Sequence, residues 1–221
     1  MSRIGLFLGL LLLLGCNKSA AKSDGAPARS ASALPAETAQ PPPSDSTVGV
    51  LPTLDVVRGV SIYALPSPFI DQEGAPAKID AFRGQITMVA MFFASCPQAC
   101  PRLINNTKNI EAALSAKERE GLRVLLITID PENDTPEALR GVVKRFGLDA
   151  SRWKLLTGKD DDIRDAAAVL GVKYREMDGT LNHSSVITLL DREGRIDARY
   201  DGIADTRAVA SARIRELLAR R

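Results

Sequence analysis

Ile86-Thr87-Met88-Val89-Ala90-Met91-Phe92-Phe93-Ala94-Ser95-Cys96-Pro97-Gln98-Ala99-Cys100-Pro101 is the stretch that decides the fold. Its first half is an unbroken apolar run rich in β-formers, as a central strand covered on both faces requires. From Pro101 onward the apolar residues Leu103, Ile104, Ile110 and Leu114 fall at helical spacing, with a charged ending and a Gly stop over Lys117 to Gly121. A buried strand therefore hands over to a helix, and two cysteines sit at the junction. On a helix, positions four apart share a face with Cβ atoms roughly 5 to 6 Å apart. A relaxed disulfide prefers about 3.5 to 4.5 Å, so closing one distorts the first turn, whereas two sulfurs straddling a metal need less movement. The free N–H groups and the dipole of a helix start favour thiolate over thiol. A structural disulfide is the alternative, although closing so short a loop removes little chain entropy.

Outward from this junction the pattern alternates. Arg123 to Asp130 reads as a second buried strand, and Thr135-Pro136-Glu137 as a helix start with its cap and its proline, running to about Phe146. Trp153 to Leu156 is a short strand, and Asp160 to Leu170 a helix with Asp in its first turn. Ser185 to Leu190 and Ile196 to Tyr200 form two strands around the turn Asp191-Arg192-Glu193-Gly194, and Thr206 to Ala219 is a closing helix. Pro68-Phe69-Ile70 and Ala77-Lys78-Ile79 flank a small hairpin ahead of the first core strand. This order predicts an α/β fold with a mixed β-sheet flanked by helices on both faces.

Residues 51–221 have the length of one ordinary domain. Ahead of them, residues 17–50 are rich in Ala, Ser and Pro, including Pro41-Pro42-Pro43, and bury too little apolar surface to offset their ordering entropy. They read as a disordered tether with a reach of roughly 30 Å. Residues 1–16 have the charged, apolar and small-residue order of an export signal. The apolar run Ile4 to Leu14 is well short of the roughly 20 residues a membrane-crossing helix needs. Leu13-Leu14-Gly15-Cys16 resembles the bacterial lipobox, which implies lipidation at Cys16 and an exported domain anchored to a bacterial membrane, facing the periplasm or the cell exterior. With Cys16 so used, the odd cysteine count resolves into one pair outside the reducing cytosol. Net charge is +2, with Lys and Arg interleaved among Asp and Glu, so no basic stripe exists and nucleic acid is excluded as a partner.

His183 is the single histidine, in the polar stretch Gly179-Thr180-Leu181-Asn182-His183-Ser184-Ser185 read as a loop before a strand. Alone it would pass for a surface residue. Together with Cys96 and Cys100 it supplies two soft thiolates and one borderline imidazole, a donor set suited to Cu(I), with Zn(II) a competitor that wants a fourth ligand. Asp130 and Asp134 do not make a calcium loop, because the glycine such a loop needs is absent. Asp134 is a candidate for supporting the ligands from behind.

Three motifs in one order carry a family resemblance over roughly Pro68 to Gly202. They are Cys96-Pro97-Gln98-Ala99-Cys100-Pro101, Ile129-Asp130-Pro131-Glu132-Asn133-Asp134-Thr135-Pro136-Glu137-Ala138-Leu139, and Asn182-His183-Ser184. The sequence resembles the SCO/SenC copper metallochaperones. That resemblance implies a thioredoxin-like fold, copper as Cu(I) or Cu(II) held by Cys96, Cys100 and His183, and delivery by ligand exchange to a copper-accepting protein. It implies subunit II of cytochrome c oxidase as that client and a thioredoxin-like reductant for the Cys96–Cys100 pair. The family usually has an aromatic and a threonine before the first cysteine and an acidic residue between the two, where this chain has Phe93-Ala94-Ser95 and Gln98. An enzyme reading stands beside the carrier: a thiol-disulfide oxidoreductase acting on a partner's cysteines through Cys96 and Cys100 alone. Peroxidase chemistry is a third and weaker reading.

Overall fold

The computed structural model describes residues 50–51, 59–177 and 180–220. The chain divides into two units, Met1–Pro43 and Ser44–Arg221, and every described residue belongs to the second. The expected signal segment with Cys16, and the expected tether up to residue 49, lie outside the described residues.

In chain order the strands are β1 (Val50–Leu51), β2 (Phe69–Asp71), β3 (Pro76–Ala77), β4 (Ile86–Phe92), β5 (Leu122–Thr128), β6 (Trp153–Gly158), β7 (Tyr174–Met177), β8 (Thr180–His183), β9 (Val186–Leu190) and β10 (Ile196–Asp201). The helices are α1 (Ala99–Ala112), α2 (Ala116–Glu120), α3 (Pro136–Phe146), α4 (Asp160–Leu170) and α5 (Arg207–Ala219). Eight strands form one sheet in the order β1-β10-β9-β4-β5-β6-β2-β3, while β7 and β8 pair only with each other. β4 is parallel to β5 and antiparallel to β9, and β5 is parallel to β6. The sheet is therefore mixed, as the sequence led us to expect. Every residue of β4 is buried, which is why its sequence shows no alternation.

Helices cover both faces. Thr87, Val89, Thr188 and Arg199 share one face through the antiparallel registers. There Tyr63, from the 3-10 turn Ile62–Ala64, pairs its hydroxyl with Thr87 (3.2 Å), and Arg199 donates to the Gly171 carbonyl at the end of α4 (3.0 Å). Tyr200 points the other way and sits beside Arg213 and Glu216 of α5, which packs against α1. No helix among the described residues is long and apolar enough to cross a membrane.

Several expected bounds shift for local reasons. The helix expected from Pro101 begins at Ala99 and includes Cys100, so Pro101 falls in its first turn, where a missing N–H costs nothing. It does not run on to Gly121. Ser115 starts a new helix, accepting the Glu118 N–H while the Glu118 carboxylate accepts the Ser115 N–H, and this capping box competes with continuation. The early hairpin is displaced: Phe69 faces Ala77, Ile70 faces Pro76, and Ile79 joins a 3-10 turn, Ile79–Phe82. α3 begins and ends as read, with the Thr135 cap at one end and Gly147 in the left-handed region at the other.

The larger departure is the β7–β8 ribbon. Its register places His183 opposite Tyr174, inside a strand and not in a loop. Asp178-Gly179, which separate the two strands in the sequence, lie outside the described residues.

Candidate functional site

The site is built where β4 ends. Ile129 donates its N–H to Phe92 O (2.8 Å) and Cys96 donates to Phe93 O (3.3 Å), so the chain turns sharply between strand and helix. Asp134, 1% exposed, fixes this turn from behind: both carboxylate oxygens accept the Ala94 N–H (3.1 and 3.0 Å), and the Thr128 hydroxyl donates to the same group. Burial raises the Asp134 pKa above the ordinary carboxylate value, against the pull of Thr128 and Ala94. Asp134 thus braces the loop that delivers Cys96. Asp130 bonds Asn133 within the same loop (2.9 and 3.1 Å).

Cys96 lies ahead of the helix, two residues before the N-cap Gln98, so the two cysteines do not occupy one helical face as their spacing suggested. They still meet. Cys96 Sγ accepts the Cys100 N–H at 3.2 Å, taking one of the unpaired first-turn amides that Gln98 leaves without a side-chain cap. Both thiols are unpaired, with Cys96 8% and Cys100 2% exposed. Burial pushes the Cys100 thiol well above its ordinary pKa, outweighing the hydrogen bond with the Phe93 backbone, and Cys96 and Asp134 add to the rise. At Cys100, then, desolvation overrides the helix start, contrary to the thiolate expectation.

His183 closes the group from the far side of the sequence. Its Nε2 lies 3.7 Å from Cys100 Sγ, 83 positions away in the chain. Nδ1 lies 3.2 Å from the Ser184 carbonyl, so the tautomer that donates there leaves the Nε2 lone pair facing the sulfur. Phe93 meets the imidazole edge to face, with ring centroids 5.9 Å apart at 72°. Ser184 is in turn held by Lys173, through Ser184 N to Lys173 O (3.1 Å) and Lys173 N to Ser184 Oγ (3.3 Å). Burial lowers the imidazole pKa, against the pull of the Ser184 carbonyl, and so keeps the ring in its neutral, metal-binding form.

Metal bonds of about 2.3 Å to sulfur and 2.0 Å to nitrogen, at trigonal or tetrahedral angles, separate S and N by about 3.5 to 3.7 Å. The Cys100–His183 pair already has that separation. Among the described residues no three or more His, Cys, Asp or Glu side chains are closed around one point as a finished metal cage. The three side chains instead run in sequence, Cys96 to Cys100 to His183. The sequence singles out these three and Asp134, and the structure brings Cys96, Cys100 and His183 near one another with Asp134 behind Ala94. Sequence reasoning missed Phe93 as the ring neighbour, the Ser184 carbonyl, and Arg145, whose Nη2 donates to Ala94 O (3.1 Å) from α3. No pattern in the sequence announces that last contact.

Comparison with known proteins places the chain in a family and agrees with its fold. A family model described as SCO1/SenC matches residues 62–219. A SCO2-like protein of Rickettsia prowazekii is 32% identical over 137 residues, covering 59% of this chain and 65% of the relative, so the chain spans just under two thirds of that relative's length. Among solved structures, a SCO1/SenC family lipoprotein from Bacillus anthracis aligns with TM-score 0.64 at 24% identity, over 71% of this chain and 95% of that one. ScoI of Bradyrhizobium japonicum, solved with copper bound, aligns with TM-score 0.59 at 24% identity, over 69% of this chain and 97% of that one. The fold is thioredoxin-like.

Proposed function

The chain belongs to the SCO1/SenC family, and from that premise we propose that it is a copper carrier holding the ion between Cys96, Cys100 and His183. The observation that carries this reading is the 3.7 Å approach of His183 Nε2 to Cys100 Sγ, because no local feature of the chain brings those residues together. Two thiolates and a neutral imidazole give a Cu(I) complex a net charge of minus one and leave a Cu(II) complex neutral, so one donor set serves either state. The copper bound in the Bradyrhizobium relative supports the choice of metal. Delivery proceeds by ligand exchange with cysteines of a client, for which the copper-bearing subunit II of cytochrome c oxidase is our candidate. We further propose an exported domain, residues 51–221, tethered by residues 17–50 to lipid on Cys16. The Bacillus anthracis relative, a lipoprotein, supports that reading.

Titration of the reduced chain with Cu(I) should reach about one equivalent, and His183→Ala should weaken binding by tenfold or more. Unchanged affinity in that variant would remove the imidazole from the site. Oxidising Cys96 and Cys100 to a disulfide should abolish binding and the thiolate-to-copper absorption.

One observation favours a second reading. The sulfur pair is preassembled by the Cys100 N–H to Cys96 Sγ bond, which a thiol-disulfide oxidoreductase acting on a partner would also need. That activity requires no imidazole. Reduction of a disulfide peptide at wild-type rate by His183→Ala, with copper binding lost, would separate the two roles.

A further inference from the structure

A shallow cleft approaches the sulfurs between α1 and α3, and His183 is not among its lining residues. Cys96, Cys100, Pro101, Phe93, Arg145 and Phe146 form much of its wall. Its enclosed volume of about 10 Å³ is no more than about one water, so a partner must lie across it and cannot enter it. Arg145 is the one charged side chain in this wall. One of its donors is spent on Ala94 O, and its guanidinium lies over the Phe146 ring at 5.3 Å, which fixes an otherwise mobile side chain. Among the described residues no carboxylate forms an ion pair with it. The nearby acid Asp134 is turned inward to Ala94 and Thr128. Lys144, exposed next to Arg145, adds a second positive charge. The residues between the two cysteines, Pro97, Gln98 and Ala99, carry no charge.

We propose that Arg145 and the Phe146–Pro101 rim form the docking surface for a protein segment that carries a carboxylate close to its own metal-accepting thiols. The proposal rests on the carrier reading above and names the chemistry of the client. A planar guanidinium held by one bond and one ring presents its remaining N–H groups outward, which suits a carboxylate taken two-pronged. The acidic segment is thereby laid beside the sulfurs on a side that the imidazole does not line. Copper then passes by exchange: each client thiol loses its proton as it takes the metal, each released sulfur takes one up, and no electrons change hands.

The test uses the full chain and two synthetic peptides of equal length that each contain two cysteines, one flanked by Asp and Glu, the other by Asn and Gln. Copper transfer from the Cu(I)-loaded chain is followed by stopped-flow at low and high salt. The acidic peptide should react about tenfold faster at low salt, with the advantage fading as salt rises. Arg145→Gln, which drops the charge, should erase the preference, and Arg145→Glu should invert it, each judged as the ratio of the two peptides' rates within one variant, so that a change in copper affinity from the lost Ala94 bond cancels. Equal rates for the two peptides on the wild type, or a preference that survives Arg145→Gln, overturns the docking surface. Peptides with both cysteines replaced by Ser, titrated against the metal-free chain, read docking alone. Selective binding of the acidic one without any copper uptake would sink the carrier reading and leave the docking surface standing.

Discussion

A buried thiol at the proposed metal site is a proton store. Because burial holds Cys100 above its usual pKa, metal must displace a proton from it, and apparent copper affinity should fall as pH falls. The expected slope is about tenfold per pH unit for each thiol that must ionise, measured by chelator competition at pH 6, 7 and 8. His183 has its pKa lowered, so it stays neutral until below about 6.5 and adds no slope above that. A flat profile would mean that the sulfurs are already ionised. Asp134→Asn tests the brace: it replaces an acceptor facing two donors by a group that must turn an N–H toward one of them. A loss of about 1 to 3 kcal/mol in chemical denaturation is expected. At this scale the sequence was readable where chemistry depends on residue type, as with the cysteines and the histidine. It misled where chemistry depends on burial, since nothing in Cys-Pro-Gln-Ala-Cys reveals that Cys100 is 2% exposed.

Elements carry the proposed ligands, and two of them meet at one glycine. A Cβ on Gly202 would lie 2.2 Å from Leu103 Cδ1 and 3.2 Å from the Ser185 backbone carbonyl, wedging the helix of Cys100 against the strand that follows His183. Gly202→Ala should therefore cost about 1 to 3 kcal/mol of stability and also weaken copper binding. Lost stability with unchanged affinity would show that the two ligands are positioned independently of this contact. At the sheet's other end, Asp71 ties the β2–β3 turn to β6, accepting Glu73 N (2.9 Å), Ala75 N (3.0 Å) and Lys154 Nζ (3.1 Å). Burial alone would raise its pKa, but these donors win and hold it below the usual carboxylate value. A depressed carboxylate stabilises the fold above its unfolded pKa of about 4, and that contribution disappears as pH falls through the folded value. Asp71→Asn should cost about 1 to 2 kcal/mol at pH 7 in denaturant titrations. The gap to wild type should narrow below about pH 4. Long periodic elements such as β4, α3 and α4 were legible because their patterns are set locally. The break at Ser115 and the β7–β8 ribbon were misread because short polar stretches leave local and tertiary preferences in competition.

Across the whole molecule, what the sequence could not supply was pairing. The antiparallel docking of β2 on β6 and of β1 on β10 joins segments far apart in the chain, and no local pattern encodes it. Copper should act at this scale as well. An ion that binds only the folded chain adds about 2.7 kcal/mol at a hundredfold excess over Kd, or roughly 5 to 10 °C in midpoint. Scanning calorimetry should show that rise in the wild type and little of it when Cys96 and Cys100 are both Ser. The ribbon gives the effect a particular character, because among the described residues β7 and β8 pair as strands with each other and not with the main sheet, and the Lys173–Ser184 pair binds them at their base. A cation shared by Cys100 and His183 is consequently a clasp that closes an 83-residue loop, much as a cystine would, yet one that a competing chelator can unfasten without any change of oxidation state.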